Sequence, residues 1–283
     1  ELYKSPEEID IGLIIESNKS EMVKRKIIEI CELRKDCLGI LDVKKELVVN
    51  NRGNETRDIL RWRQGKAGST FNPNTSYAAL YDNWLEVFDR WNRRYEWIPA
   101  SGYVAGIYAN SDAVGELWFA PAGLNRGGIT EAINLYKKLK REDMDKLYNG
   151  KVNPIVSFPG QGIVAYGQKT LQTRASALDR INVRRLLINL KKFISSTSRF
   201  LVFEQNTSVT RNKFLSLVEP YLDDVQQQQG LFAYRVVVDE TVNTPEVIDR
   251  NQLVGKIFIQ PARAAEFIVL DFNVLPTGAE FPA

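Results

Sequence analysis

Histidine is absent from all 283 residues of the sequence. Ser-His-Asp and Cys-His nucleophiles need an imidazole as their general base, and many zinc sites need one as a ligand. The absence excludes those catalytic arrangements and every zinc site built on imidazole. Carboxylates alone can still serve a glycosidase or a magnesium enzyme, so a carboxylate-dependent hydrolase on an α/β scaffold stays open as an alternative. No motif forms a catalytic constellation, and we expect no cofactor and no bound metal.

Cysteine and long apolar runs are also scarce. Cys31 and Cys37 are too few for a disulfide scaffold in a chain of this size. Cys31 lies among apolar residues, where a buried and reduced thiol is expected. No stretch has the roughly 20 apolar residues that a transmembrane helix needs, so we predict no direct insertion into a membrane. Because the chain begins with Glu1 and not with methionine, we expect it to be a fragment of a longer protein.

The charge of the chain is nearly balanced. Lys and Arg total 38 against 35 Asp and Glu, a net charge of +3. Nucleic-acid-binding proteins usually concentrate more positive charge, because phosphate neutralisation dominates their affinity. The segments 61–63 (Arg-Trp-Arg) and 91–94 (Trp-Asn-Arg-Arg) do combine aromatic rings with arginine. They leave a single-strand nucleic-acid binder as a second alternative, but we favour helix ends with solvated arginines and predict no nucleic-acid partner.

The first part of the chain has an α/β pattern within a composition typical of soluble globular proteins, 44% hydrophobic and 26% charged. Residues 9–15 form a short apolar run of strand length, and residues 37–43 form another. Between them, Ser20 begins a helix whose apolar stripe is Met22, Val23, Ile27, Ile30 and Cys31. A strand, a helix and a strand in so few residues predict a parallel pair joined by a crossover.

Further elements follow at regular intervals along the chain. Residues 77–88 predict a helix covered with aromatic side chains, and a second helix is expected from about Thr130, carrying Leu135 and Leu139. Residues 155–158 and 162–166 predict strands. We place a boundary near Thr173, which divides the chain into domains 1–173 and 174–283.

The second domain is predicted as a compact α/β unit. A helix is expected over residues 179–195, a brief strand over 201–203, and a helix capped by Thr207 that Pro220 kinks or restarts. Strands are expected over 232–238, 256–260 and 266–275, where alternate residues are apolar.

Three ordered segments carry a family resemblance: 77–84, a tyrosine-rich run ending in tryptophan; 97–109, with Pro-Ala-Ser-Gly; and 118–123, with Ala-Pro-Ala-Gly. The chain thereby resembles the contractile tail sheath proteins of myovirus phages and related injection machines, of the T4-like or giant-phage type. The resemblance extends from about residue 9 to the end, and its later elements are 158–162, 167–171, 181–187, 203–206, 244–251 and 277–281. Gln168 departs from the family pattern, in which a small residue is common there, followed by Arg where this chain has Lys169.

The resemblance implies a two-part sheath core, with mixed β-sheets flanked by helices. The first domain would have a subtilisin-like arrangement, and the C-terminal α/β domain would end in an exposed strand or arm. It also implies a structural protein and not an enzyme, which polymerises helically around a tail tube and contracts to drive the tube through the host envelope. The implied partners are other sheath subunits, the tail tube protein, and the baseplate and tail terminator proteins. The implied location is the virion tail, with assembly in the host cytoplasm.

Two sets of residues are candidates for contacts between subunits. Residues 266–275 would form the sheet-forming C-terminal strand, and 277–281 would lead into an arm exchanged with a neighbour; an ordinary interior strand is an equal alternative for residues 266–272. The arm candidates are Phe267, Val269, Asp271, Asn273, Leu275, Thr277, Gly278 and Phe281. Lys191, Lys192, Arg211 and Lys213 are candidates for contacts with the tube, against the alternative that they lie on solvated helix faces.

Overall fold

The computed structural model describes residues 3–66 and 68–266, which form a mixed α/β structure with several small sheets. The strands are β1 (Leu13–Ile15), β2 (Leu38–Asp42), β3 (Ala78–Tyr81), β4 (Trp84–Asp89), β5 (Arg94–Pro99), β6 (Gly128–Ile129), β7 (Asn134–Leu135), β8 (Ile155–Phe158), β9 (Gly162–Ala165), β10 (Leu231–Val237) and β11 (Lys256–Pro261). The helices are α1 (Glu21–Arg34), α2 (Lys45–Val48), α3 (Glu55–Arg63), α4 (Ser101–Val114), α5 (Arg141–Asn149), α6 (Ile181–Ser198), α7 (Ser208–Gln227) and α8 (Pro245–Asp249).

A parallel sheet of order β1–β2–β3 lies at the centre of the first part. The predicted strand–helix–strand unit is confirmed, since β1 and β2 are parallel neighbours and α1 connects them. The predicted apolar stripe of α1 is wrong at its start, because Met22 is 79% exposed and Val23 is 40% exposed. Lys24 is buried instead, because its ammonium group pairs with Glu16 at 2.5 Å.

The segment 77–88 was predicted as a helix and is two strands. β3 pairs with β2 and is buried throughout, and β4 pairs with β5 and β7 in an antiparallel sheet. A strand buried on both faces is a continuous apolar run without alternation, which periodicity does not separate from a buried helix. Asn83 makes the turn between the strands with a φ of 73°. Its side-chain amide donates to the carbonyl oxygen of Lys137 at 2.8 Å.

Two further predictions in this part are wrong. Residues 91–93 are not a helix end but the turn of the β4–β5 hairpin, where the Asp89 carboxylate accepts hydrogen bonds from the backbone N–H groups of Trp91 and Asn92. No helix begins near Thr130, because residues 134–135 form β7 and pair with β4. The helix begins only at Arg141.

Apolar side chains cover both faces of the parallel sheet. Leu41 and Cys37 point to a core that includes the stacked rings of Trp62 and Phe71, whose centroids are 4.5 Å apart. Leu38 and Ile40 point to a second core beneath α4 and the start of α6. In the second core the hydroxyl groups of Tyr81 and Tyr108 lie 2.8 Å apart.

The C-terminal part packs α6 and α7 against the antiparallel pair β10–β11. α7 continues through Pro220 without the predicted break, and Val218 and Leu222 are fully buried on either side of it. Their burial outweighs the lost backbone hydrogen bond. The predicted strand 201–203 is wrong: residues 199–201 form a single 3₁₀ turn, and Phe203 follows in a left-handed conformation. Across 3–66 and 68–266, no helix combines the length and the apolar character needed to cross a bilayer.

Candidate functional site

The pair β10–β11 forms a two-stranded sheet with one apolar face on the core and one exposed face. Tyr234, Val236, Ile257 and Ile259 pack with the side chains of α7, while Phe232 is 69% exposed and Phe258 is 56% exposed. Among the described residues, no third strand pairs with either outer edge of this sheet. An unpaired edge offers a row of backbone donors and acceptors to an added strand.

Hydrogen bonds within the chain hold this sheet in place. Asn243 is 2% exposed, and its side chain accepts from the backbone N–H of Val254 at 2.8 Å and donates to the Val254 carbonyl oxygen at 2.9 Å. The hydroxyl of Tyr234 donates to Asp223 at 2.5 Å, and burial together with this carboxylate raises the pKa of Tyr234 to about 12. The two strands are therefore formed before any partner binds.

Glu266 fixes the last part of the described chain. Its carboxylate accepts from the Nε of Arg180 at 2.6 Å and from the side-chain amide of Gln168 at 3.2 Å. Burial and the nearby Glu266 carboxylate raise the pKa of Tyr148. The position of Glu266 is therefore fixed by its contacts with residues 168 and 180.

Lys169 follows Gln168 in the chain and is only 8% exposed. Its ammonium group donates to the carbonyl oxygen of Tyr148 at 3.0 Å and lies 3.9 Å from the centroid of the Tyr148 ring. Burial and the neighbouring charges of Lys151 and Arg180 lower the pKa of Lys169 to about 8. The departure from the family pattern at residues 168–169 therefore falls at a buried contact: Gln168 binds Glu266 and Lys169 packs on Tyr148.

The predicted arm residues lie outside the described residues and stay predictions: Phe267, Val269, Asp271, Asn273, Leu275, Thr277, Gly278 and Phe281. The predicted tube-contact residues lie on two helices. Lys191 is exposed on α6, whereas the ammonium group of Lys192 donates to Asp10 at 2.6 Å and to the carbonyl oxygen of Ile11 at 3.0 Å. Arg211 and Lys213 lie near the start of α7.

A contact that has no local sequence signal holds the N-terminal segment. The guanidinium group of Arg34 forms a bidentate pair with Asp36, with both contacts at 2.9 Å. Its remaining hydrogens go to the carbonyl oxygens of Tyr3, Ser5 and Ile9, at 3.0, 2.9 and 2.7 Å. All five guanidinium hydrogens are used, and the Arg34 side chain has no exposed surface. We call this arrangement the Arg34 clamp.

Carboxylates also lie at the carboxyl ends of the parallel strands, where α/β enzymes often carry their sites. Burial raises the pKa of Asp42 to about 6 and that of Asp82 to about 7. Asp42 accepts from the backbone N–H of Ser101 at 2.8 Å, at the start of α4, and Asp82 accepts from that of Ile155 at 2.7 Å. Both carboxylates therefore hold backbone in place. In the part of the chain that the structure covers, no group of three His, Cys, Asp or Glu residues could hold a metal ion.

The sequence matches two family models in order. Residues 10–171 match the phage tail sheath protein central domain, and residues 173–274 match the phage tail sheath C-terminal domain. The tail sheath protein of Vibrio phage KVP40 is 37% identical over 99% of this chain and 44% of the relative. The tail sheath protein of Enterobacteria phage T4 is 35% identical over the same shares of the two chains. This chain thus spans less than half the length of these relatives.

A solved structure has the same fold. The sheath complex of an extracellular contractile injection system, called PVC and determined in its contracted state, superposes with a TM-score of 0.79 at 26% sequence identity. The superposition covers 94% of this chain and 71% of the other. The mixed α/β architecture expected from the sequence is therefore confirmed and is the architecture of a contractile sheath protein.

Proposed function

This chain belongs to the phage tail sheath family, and we propose that it is the core of a sheath subunit that polymerises helically around a tail tube and contracts to drive the tube through the host envelope. The observation that carries the proposal is the ordered match to both sheath domains across residues 10–274, on a fold shared with a contracted sheath. The proposed location is the virion tail, with assembly in the host cytoplasm.

The proposed role is structural and not catalytic. The relatives are structural tail sheath proteins. The carboxylates with raised pKa values, Asp42 and Asp82, are buried and accept hydrogen bonds from backbone N–H groups at 2.7–2.8 Å, so we assign them the role of holding the backbone. The proposed partners are further copies of the subunit, the tail tube protein, and the baseplate and tail terminator proteins.

We further propose that neighbouring subunits are joined by strand exchange. Residues 267–275 of one copy would add to an outer edge of the β10–β11 sheet of another, and residues 277–281 would continue the arm. Three features support this: the outer edges that no described strand covers, the preformed sheet, and the fixed position of Glu266, which precedes the proposed strand. Main-chain hydrogen bonds supply strength and alternating side chains fix the register, so the lattice stays connected while subunits move.

Removal of the arm tests strand exchange. Deletion of residues 267–283 from the full-length subunit, which removes both the proposed strand and the arm, should abolish polymerisation into tubes and leave the thermal unfolding of the monomer unchanged. A matched control is Phe258→Ser, which alters the exposed face of the acceptor sheet and keeps its backbone edge. Normal tubes from the deletion variant in electron micrographs would contradict strand exchange.

Contacts with the tail tube are proposed for the cations Lys191, Lys192, Arg211 and Lys213. Lys191 is the best placed of the α6 pair, because Lys192 already binds Asp10. Reversal of Lys191 alone to Glu should weaken assembly on isolated tubes, by repulsion from an acidic tube surface, and it leaves the Lys192–Asp10 pair intact. Unchanged assembly on tubes would remove Lys191 from the interface.

A further inference from the structure

One face of α7 is exposed along the length of the helix. Val209, Lys213, Leu217, Pro220 and Asp224 recur every three or four residues and are all exposed. Val209 is 75% exposed and Leu217 is 39% exposed. The helix buries its other side against the core through Phe214, Val218, Leu222 and Val225. We call the five exposed residues the α7 stripe, an apolar row with a cation near one end and an anion near the other.

The order of the charges on α7 opposes the helix dipole. Arg211 and Lys213 lie in the first two turns, where the dipole favours negative charge, and Asp223 and Asp224 lie near the last turn, where it favours positive charge. The first turn has no acidic residue and the last turn has no basic one. The stability of the isolated helix therefore does not explain this order of charges.

The cation and the anion of the α7 stripe project from the same face of the helix. Lys213 and Asp224 are eleven residues apart. Eleven residues make three turns with about 20° left over, so the two side chains project from the same face, about 16 Å apart along the axis. A second α7 laid along the first with this offset would bring opposite charges together.

The loop before α7 adds exposed aromatic side chains at the cationic end. Phe200 is 80% exposed and Phe203 is completely exposed, with a φ of 73° that a bulky side chain rarely adopts. The loop is nonetheless fixed, because the side-chain amide of Asn206 donates to the carbonyl oxygen of Gln252 at 2.8 Å and Thr207 caps the helix. Backbone strain of this kind clusters at functional sites, which makes the exposed ring of Phe203 a candidate contact.

We propose that the α7 stripe and Phe203 form a contact between copies of this chain, in which the Lys213 end of one copy meets the Asp224 end of the next. The occupant is a second copy because the chain itself carries both complementary charges on one face. The contact is head to tail, since only a contact between two different surfaces repeats in one direction and builds an open helical assembly. This inference rests on the proposed helical polymerisation and names one of its interfaces, and it assigns Lys213 to that interface in place of the tube contact.

Charge reversal separates this contact from an effect on folding. In the full-length subunit, Lys213→Glu and Asp224→Lys each place a charge that the helix dipole favours, so neither should lower the Tm of the monomer. Each should raise the concentration needed for tube formation by about tenfold or more, because like charges would then face each other. The variant that carries both reversals should polymerise like the wild type. Lys138→Glu, at an exposed position of the first part, is the charge-matched control and should assemble normally.

Phe203→Asn provides an independent test. Asparagine suits the left-handed backbone, so the Tm should not fall, while the loss of the aromatic ring should weaken assembly. Two results would overturn the contact between copies when the wild type forms tubes. In the first, both single charge reversals assemble like the wild type; in the second, the variant with both reversals does not regain assembly. Loss of assembly only on tail tubes and only for Lys213→Glu would assign the cation to the tube instead. A discrete dimer would replace the head-to-tail contact with a symmetric one, and failure of the wild type to form tubes would refute the proposed function itself.

Discussion

Arg34→Gln is expected to release the N-terminal segment from the rest of the protein. The substitution removes the bidentate pair with Asp36 and the donors to three carbonyl oxygens of residues 3–9. Because the Arg34 side chain is fully buried and that of Asp36 is 10% exposed, Asp36 is left with an unpaired charge away from water. Breaking such a pair costs about 3–5 kcal/mol. For 283 residues the unfolding entropy is about 0.6 kcal/mol/K, so that loss lowers Tm by roughly 5–8 °C.

Two measurements check this prediction. Thermal unfolding followed by circular dichroism gives the loss of stability, and hydrogen exchange with mass spectrometry reports the opening of residues 3–11. Arg52→Gln is the matched control, since Arg52 is exposed and makes no side-chain hydrogen bond with another described residue. Neutral surface substitutions change the free energy of unfolding by no more than about 0.5 kcal/mol. A variant whose Tm stays within 2 °C of the wild type, with unchanged hydrogen exchange in residues 3–11, would therefore refute the role of the Arg34 clamp.

Two further predictions concern buried polar groups. Burial raises the pKa of Asp82 to about 7, so this carboxyl group binds a proton more tightly in the folded protein than in the unfolded chain. The protonated carboxyl group therefore contributes fully to the free energy of unfolding below about pH 4. That contribution is lost as the pH rises through 7. The stability of Asp82→Asn relative to the wild type should therefore rise by roughly 3 kcal/mol between pH 5 and pH 8 in urea denaturation, and a pH-independent difference would contradict the raised pKa. Asn153→Ala removes buried hydrogen bonds to Leu80 and Lys169 and should cost about 3 kcal/mol, whereas the exposed Asn149→Ala should stay within about 0.5 kcal/mol.

Local sequence signals predicted the helices that have one buried face and one exposed face. The Ser20 cap and the spacing of Ile27 and Cys31 indicate α1, and the Thr207 cap indicates α7. Both caps are observed: each hydroxyl oxygen accepts from the backbone N–H three residues ahead, at 3.5 Å. Such signals depend only on neighbours along the chain and survive in any fold that buries one face of the helix.

The errors fall where tertiary packing decides the structure. β3 is buried on both faces, so Ala78–Tyr81 has no alternation that would mark a strand. The Arg34 clamp joins an arginine to carbonyl oxygens 25–31 residues away, and no local pattern predicts that distance. Asp89 and Asn92 did offer a turn signal, since an Asp side chain commonly caps the backbone two or three residues later.

The candidate site was only partly accessible from the sequence. The family resemblance indicated the C-terminal strand and arm, whereas the anchoring of Glu266 by Arg180 and Gln168 depends on residues 86 and 98 positions away. The ion pair between Lys192 and Asp10 could not be predicted either, because the two residues are 182 positions apart in the sequence. Charge on a helix face indicates a candidate contact, but only the folded chain shows which cations already have partners.

Cryo-electron microscopy of the assembled protein tests the sheath role most directly. We expect tubes in which every β10–β11 sheet gains a strand from residues 267–275 of a neighbouring copy. Protein that stays monomeric in the presence of tail tubes, or tubes in which each β10–β11 sheet keeps only its own two strands, would contradict a sheath joined by strand exchange.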